Sequence, residues 1–126
     1  MKARFTFRYS TEWTADSLVA EVESLLKRFD IDYELRWRRS GNPFLTVPGE
    51  LTDAVAGAIK KRTGLDTELS TGGGTSDGRF IAPYGVDVVE LGPVNASIHK
   101  VNEHVRVDDV DRLTDIYLDI IERLLG

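Results

Sequence analysis

Twice in its first forty residues this chain alternates apolar and polar side chains with a period of 2, and a helical pattern lies between. Ala3, Phe5, Phe7 and Tyr9 interleave with Arg4, Thr6 and Arg8; Ile31, Tyr33, Leu35 and Trp37 interleave with Asp32, Glu34, Arg36 and Arg38. Successive side chains of a strand point to opposite faces, so each run predicts a strand with one apolar face to be covered. Between them Thr14 suits an N-cap, Trp13 can staple onto Leu18, and Leu18, Val22, Leu25, Leu26 and Phe29 fall on one helical face. Residues 1–40 therefore read as strand, helix, strand, and the fold class as α/β in the broad sense that includes α+β.

Ser40-Gly41-Asn42-Pro43 interrupts the pattern and predicts a crossover between two parts, residues 1–40 and 41–126. A helix is predicted over 50–63, carrying Leu51, Val55 and Ile59 and closed by Gly64. Leu69 is expected in a short strand, a short helical turn from about Ser76 to Ala82, and a buried strand over Val86–Leu91, apolar apart from Asp87 and Glu90. Asp108 opens a last helix, whose stripe is Val110, Leu113, Ile116, Tyr117, Ile120, Ile121, Leu124 and Leu125. There are no internal repeats and no low-complexity segments.

The chemistry of the chain narrows its partners. A net charge of −5 with no dominant basic patch argues against nucleic acid. The absence of cysteine rules out disulfides and thiolate metal sites and suits a reducing cytoplasm. No apolar run approaches the roughly 20 residues of a membrane span, so no membrane partner is expected. Met1-Lys2-Ala3-Arg4-Phe5 lacks the apolar core of a secretion signal. It runs straight into a strand pattern, an unusual beginning for a natural N-terminus.

Three segments can carry function. In Ser70-Thr71-Gly72-Gly73-Gly74-Thr75-Ser76-Asp77-Gly78-Arg79-Phe80, consecutive glycines allow close backbone approach to a ligand, and the turn that follows offers amides for a carboxylate or oxyanion. The competing reading is an ordinary turn capped by Ser76 or Asp77. No Lys-Ser or Lys-Thr follows the glycines, so this is not a Walker-type phosphate loop. In Glu90-Leu91-Gly92-Pro93-Val94-Asn95-Ala96-Ser97-Ile98-His99, the loop leaves a predicted strand at its carboxyl end, where open α/β sheets bind ligands. His99 is the candidate metal ligand there, with a surface or hydrogen-bonding histidine as the alternative. His104 is five residues on, which is not the helical zinc spacing, and it reads as exposed or partner-facing. Third, Arg8 on the polar side of the first strand can clamp a carboxylate in a bidentate fashion, near Ser40 in function; a solvated strand face and a plain turn residue are the alternatives.

Four stretches resemble the succinyl-diaminopimelate desuccinylases, within the aminoacylase–carboxypeptidase superfamily of metallohydrolases. They are Phe5-Thr6-Phe7-Arg8-Tyr9-Ser10-Thr11, Ser40-Gly41-Asn42-Pro43-Phe44-Leu45-Thr46, Gly73-Gly74-Thr75-Ser76-Asp77-Gly78-Arg79-Phe80-Ile81-Ala82 and Val89-Glu90-Leu91-Gly92-Pro93-Val94-Asn95-Ala96-Ser97-Ile98-His99-Lys100. The resemblance runs over the whole chain, with Gly72 and Ser97 standing where Ser or Thr, and Thr, are more usual. It implies that residues 1–40 are the second half of a ferredoxin-like lid and dimerisation domain. Residues 41–126 would be the C-terminal α/β part of a zinc-exopeptidase-like catalytic domain. It implies that His99 binds one of two zinc (or cobalt) ions, that Gly74, Thr75 and Asn95 contact substrate or product, and that Arg8 and Ser40 hold carboxylates of a dicarboxylate amide substrate. The implied reaction hydrolyses the succinyl amide to succinate and diaminopimelate in lysine and cell-wall synthesis. The family's His-x-Asp signature, bridging aspartate, other carboxylate ligands and general-base glutamate have no match here. The expectation is thus a C-terminal fragment with no catalytic residue, at most a partial metal site and no activity alone. Sheet neighbours would also be missing, which predicts a homodimer or larger assembly, with domain swapping as one route. A related deacylase such as acetylornithine deacetylase and a non-catalytic dimerising module are the competing readings.

Overall fold

The structure is a computed structural model that describes residues 1–72, 74–94 and 96–126. Its helices are α1 (Ala15–Leu26), α2 (Glu50–Thr63) and α3 (Val107–Leu125), with 3-10 turns at Asp77–Phe80 and Ala82–Tyr84. The chain divides into two compact units, one of residues 1–45 with 79–86 and the other of residues 46–78 with 87–126. Among the described residues no helix is long and apolar enough to cross a membrane.

In the first unit α1 starts where its caps dictate. Thr14 Oγ1 accepts from the Ser17 amide at 3.0 Å, and Ser17 Oγ accepts from the Thr14 amide at 2.9 Å. That reciprocal pair satisfies two of the amides a helix start leaves orphaned. The helix stops at Leu26, before Phe29, which is left exposed. The Phe7 and Trp37 rings meet at 6.2 Å between centroids, tilted by 38°. Trp37 Nε1 donates to Glu23 Oε1 at 3.3 Å, and Arg39 pairs with Asp16, so the segment after α1 lies back against it.

The second unit is a helix pair. Gly64 closes α2 at φ +74°, a left-handed cap that a side chain would strain, and its amide donates to Lys60 O at 2.9 Å. Ala54 and Ala58 on α2 are buried against Ile116 and Ile120 on α3, with Val55, Ile59, Leu91 and Leu124 packed around them. Small residues on one helix let the larger ones of the other approach closely. At the edge of this core the Asp119 carboxylate takes Lys61 Nζ at 2.9 Å and the Arg62 fork at 2.5 and 2.7 Å. The Arg62 and Lys61 hydrogen bonds hold the Asp119 carboxyl well below the usual carboxylate range, and Asp119 raises Arg62 in turn.

The strands expected at Ala3–Tyr9, Ile31–Trp37, Leu69 and Val86–Leu91 do not form: the described residues contain helices and turns but no strand, which corrects the α/β expectation at the level of secondary structure. The reason is physical. Alternation specifies which face of a segment is apolar, but a strand exists only where a neighbour takes its backbone N–H and C=O groups. Phe5 is 78% exposed and Ile31 57%, so their apolar faces remain uncovered as well. A side chain instead does part of that work at Val88, where Thr46 Oγ1 donates to the carbonyl at 2.5 Å and accepts from the amide at 3.3 Å.

Candidate functional site

The glycine-rich segment lies in the second unit as far as Gly78 and is held by short-range hydroxyl caps. Ser70 Oγ accepts from the Gly72 amide at 3.0 Å, and Ser76 Oγ accepts from the Gly78 amide at 2.8 Å. The second bond starts the Asp77–Phe80 turn, so Ser76 does act as the cap of a turn. Gly74 and Thr75 lie between these caps and are both exposed. Among the described residues, chain neighbours aside, no atom comes within 4 Å of a Cβ built on Gly74, which leaves room for a ligand there.

His99 sits on an exposed turn with φ +59°, and Asn102 follows at φ +63°. Both types are among the few side chains that visit the left-handed region readily. The turn begins after Tyr117 Oη has fixed the Leu91 carbonyl to α3 at 2.6 Å. Ser97 then bridges to the backbone of residue 104, and the His104 ring meets Asn102 O through Nδ1 at 2.8 Å. His104 is exposed, as its spacing suggested. Asn95 and Gly73 lie outside the described residues.

Arg8 and Ser40 belong to the first unit, and both are exposed. Ser40 neighbours a contact between two of the sequence motifs. A Cβ on Gly41 would stand 2.8 Å from Arg79 Cδ and 3.3 Å from its Nε, so glycine lets the Arg79 side chain pass. The Arg79 guanidinium lies 4.7 Å from the Phe80 ring centroid, and its Nε is buried without a hydrogen-bond partner among the described residues. Sequence reading passed over Arg79; its signal was its place in the glycine-rich motif. Two hollows, about 210 Å³ beside Trp13 and Pro43 and about 400 Å³ beside Ile59, Leu91 and Leu113, include none of the candidate site residues.

A metal centre needs convergent donors. Among the described residues no three His, Asp or Glu side chains group closely enough to hold an ion. His99 fits one ligand position by the chemistry of its imidazole and its exposure, but a complete centre does not assemble around it.

Comparison with known proteins places these residues in context. Residues 4–123 match the family model Peptidase family M20/M25/M40. The chain is 57% identical over 125 residues to "Succinyl-diaminopimelate desuccinylase" of Thioalkalivibrio sulfidiphilus, covering 99% of this chain. It is 57% identical over 126 residues to the protein of the same name from Acinetobacter baylyi, and 56% over 126 residues to that of Ectopseudomonas mendocina. It spans about a third of the length of these relatives, 33% in each case.

Proposed function

The chain belongs to peptidase family M20/M25/M40, and from that premise we propose that it works as part of a succinyl-diaminopimelate desuccinylase. The observation that carries this reading is the identity of 57% over 99% of the chain to a protein of that name. The reaction adds water across the succinyl amide: the acyl carbon gains hydroxyl and leaves as succinate, and the nitrogen gains the proton and leaves as diaminopimelate. Zinc or cobalt ions, when bound, would supply Lewis-acid polarisation and an activated water.

Within that scheme His99 contributes one ligand. Its exposed ring and left-handed backbone at the head of a turn support the role, since uncommon backbone conformations concentrate at functional sites. The open backbone at Gly74 and Thr75, together with Asn95, contacts substrate or product. Arg8 and Ser40 bind substrate carboxylates, for which a guanidinium and a hydroxyl are suited donors. Residues 1–40 act as part of a lid, a reading supported by the Phe7–Trp37 ring contact between its two alternating segments. Residues 41–126 act as the return into a zinc-exopeptidase-like catalytic domain in the cytoplasm.

Titration with zinc by calorimetry tests the ligand role. One weak binding event that disappears in His99→Ala is the expected result; identical isotherms for the two chains would remove His99 from the metal site.

Association is the second part of the proposal. Phe5, Ile31, Leu65, Tyr84, Val94 and Leu125 are exposed at 57% or more. Apolar surface of this kind favours burial against another chain. A homodimer or larger assembly is expected by light scattering, and a monomer mass across a wide concentration range would refute it.

A further inference from the structure

We propose that Ser97 is a positioning residue, whose hydroxyl closes the loop that presents the His99 imidazole; its functional weight rests on the ligand role of His99 given above. Ser97 Oγ donates to the His104 carbonyl at 2.7 Å and accepts from the His104 amide at 3.0 Å. One hydroxyl thus engages both backbone groups of a residue seven positions on. This is the bonding that a strand neighbour would otherwise provide, and Thr46 makes the same two-sided contact to Val88.

Inside the closed loop the backbone takes two left-handed steps, at His99 and Asn102. His and Asn enter this region at less cost than most side chains, and the bonds around the loop fix them in it. The Lys100 amide donates to Ser97 O at 3.0 Å, and Lys100 Nζ to Ala96 O at 2.7 Å, so the bonds on the near side of the loop also centre on residues 96 and 97. The direction in which the His99 ring leaves the backbone depends on φ at residue 99. Releasing residue 104 frees that angle, and the imidazole loses its fixed point of departure. The conservative replacement, Thr, keeps the hydroxyl.

The test uses the metal-free, isotopically labelled chain in solution. In Ser97→Ala the His104 amide is expected to exchange roughly tenfold faster, the worth of one ordinary hydrogen bond. The strong intraresidue amide-to-Hα signal of a left-handed residue should fade at His99. Ser97→Thr should restore both, with α2 and α3 amides unchanged in either variant. Equal His104 exchange and an unchanged His99 signal in Ser97→Ala would overturn the proposal. So would equal loss of protection in α2 and α3, which marks a general stability effect. The ligand role fails separately, as His99 imidazole resonances that ignore added zinc while the clasp persists.

Discussion

Replacing Ile120 by alanine is expected to destabilise the helix pair of the second unit by about 2–5 kcal/mol, the usual cost of removing a buried branched side chain and leaving its cavity. The effect is large because the core is small. Ala54, Ala58, Ile116 and Ile120 are the buried apolar residues described, and Ile120 is 7% exposed among them. Its neighbours on α2 are alanines, which have no side-chain length with which to fill the space. Typical total stabilities of about 5–15 kcal/mol put such a loss near the threshold of unfolding. Leu118 lies two positions away on α3 but is 50% exposed. Leu118→Ala should therefore change stability by no more than about 0.5 kcal/mol. Thermal and urea unfolding followed by circular dichroism separates the two; equal shifts would mean that the α2–α3 contact is not the stabilising core.

How much of this was legible in the sequence depends on the range of the interactions. The limits of α2 were plain because Gly64 is a local signal: the chain must turn left-handed at that point, whatever packs against it. Thr14 was readable for the same reason, since its capping partner Ser17 is three residues away. The face of α2 was read only in part: Val55 and Ile59 do pack against the core. Leu51, Val55 and Ile59 give the stronger hydropathy signal, yet Thr52, Ala54 and Ala58 are the buried residues. Small side chains leave little trace in a hydropathy pattern, although they decide how closely helices approach. The Asp119 ion cluster was missed because its partners Lys61 and Arg62 are more than fifty residues distant, and only the placement of an acid beside the apolar stripe of α3 hinted at it. The alternation in Ala3–Tyr9 and Ile31–Trp37 predicts strands that do not form, because pairing depends on a neighbour that no local pattern encodes. At the site, the motif around His99 was recognisable as a run of residues, whereas the Ser97–His104 closure that shapes it spans seven positions and follows no periodicity.

The polypeptide of these 126 residues is expected to release no succinate from N-succinyl-diaminopimelate above the uncatalysed background, with or without added zinc or cobalt. Metal-assisted hydrolysis of this type needs two ions about 3.5–4 Å apart, each with its own donors, and a base to move the proton. Ions that close repel one another strongly unless carboxylates between and around them neutralise the charge. As the proposed ligand, His99 would bind through a neutral imidazole and supply none of that neutralisation. The described acidic residues do not make up the deficit: Asp119 is committed to Lys61 and Arg62, and Asp66 to Lys60. Among the described residues no acidic pair converges with a histidine. Enzymes of measured efficiency lower their barriers by about 8–23 kcal/mol, so a site lacking most of its donors should fall to background rather than to a fraction of full rate. His99→Ala should then be indistinguishable from the parent chain in a succinate-release assay, even though it is expected to abolish zinc binding by calorimetry. Chelator-sensitive hydrolysis that His99→Ala removes would show that this chain assembles a working pair of metals, and the assignment of a single ligand to it would be lost.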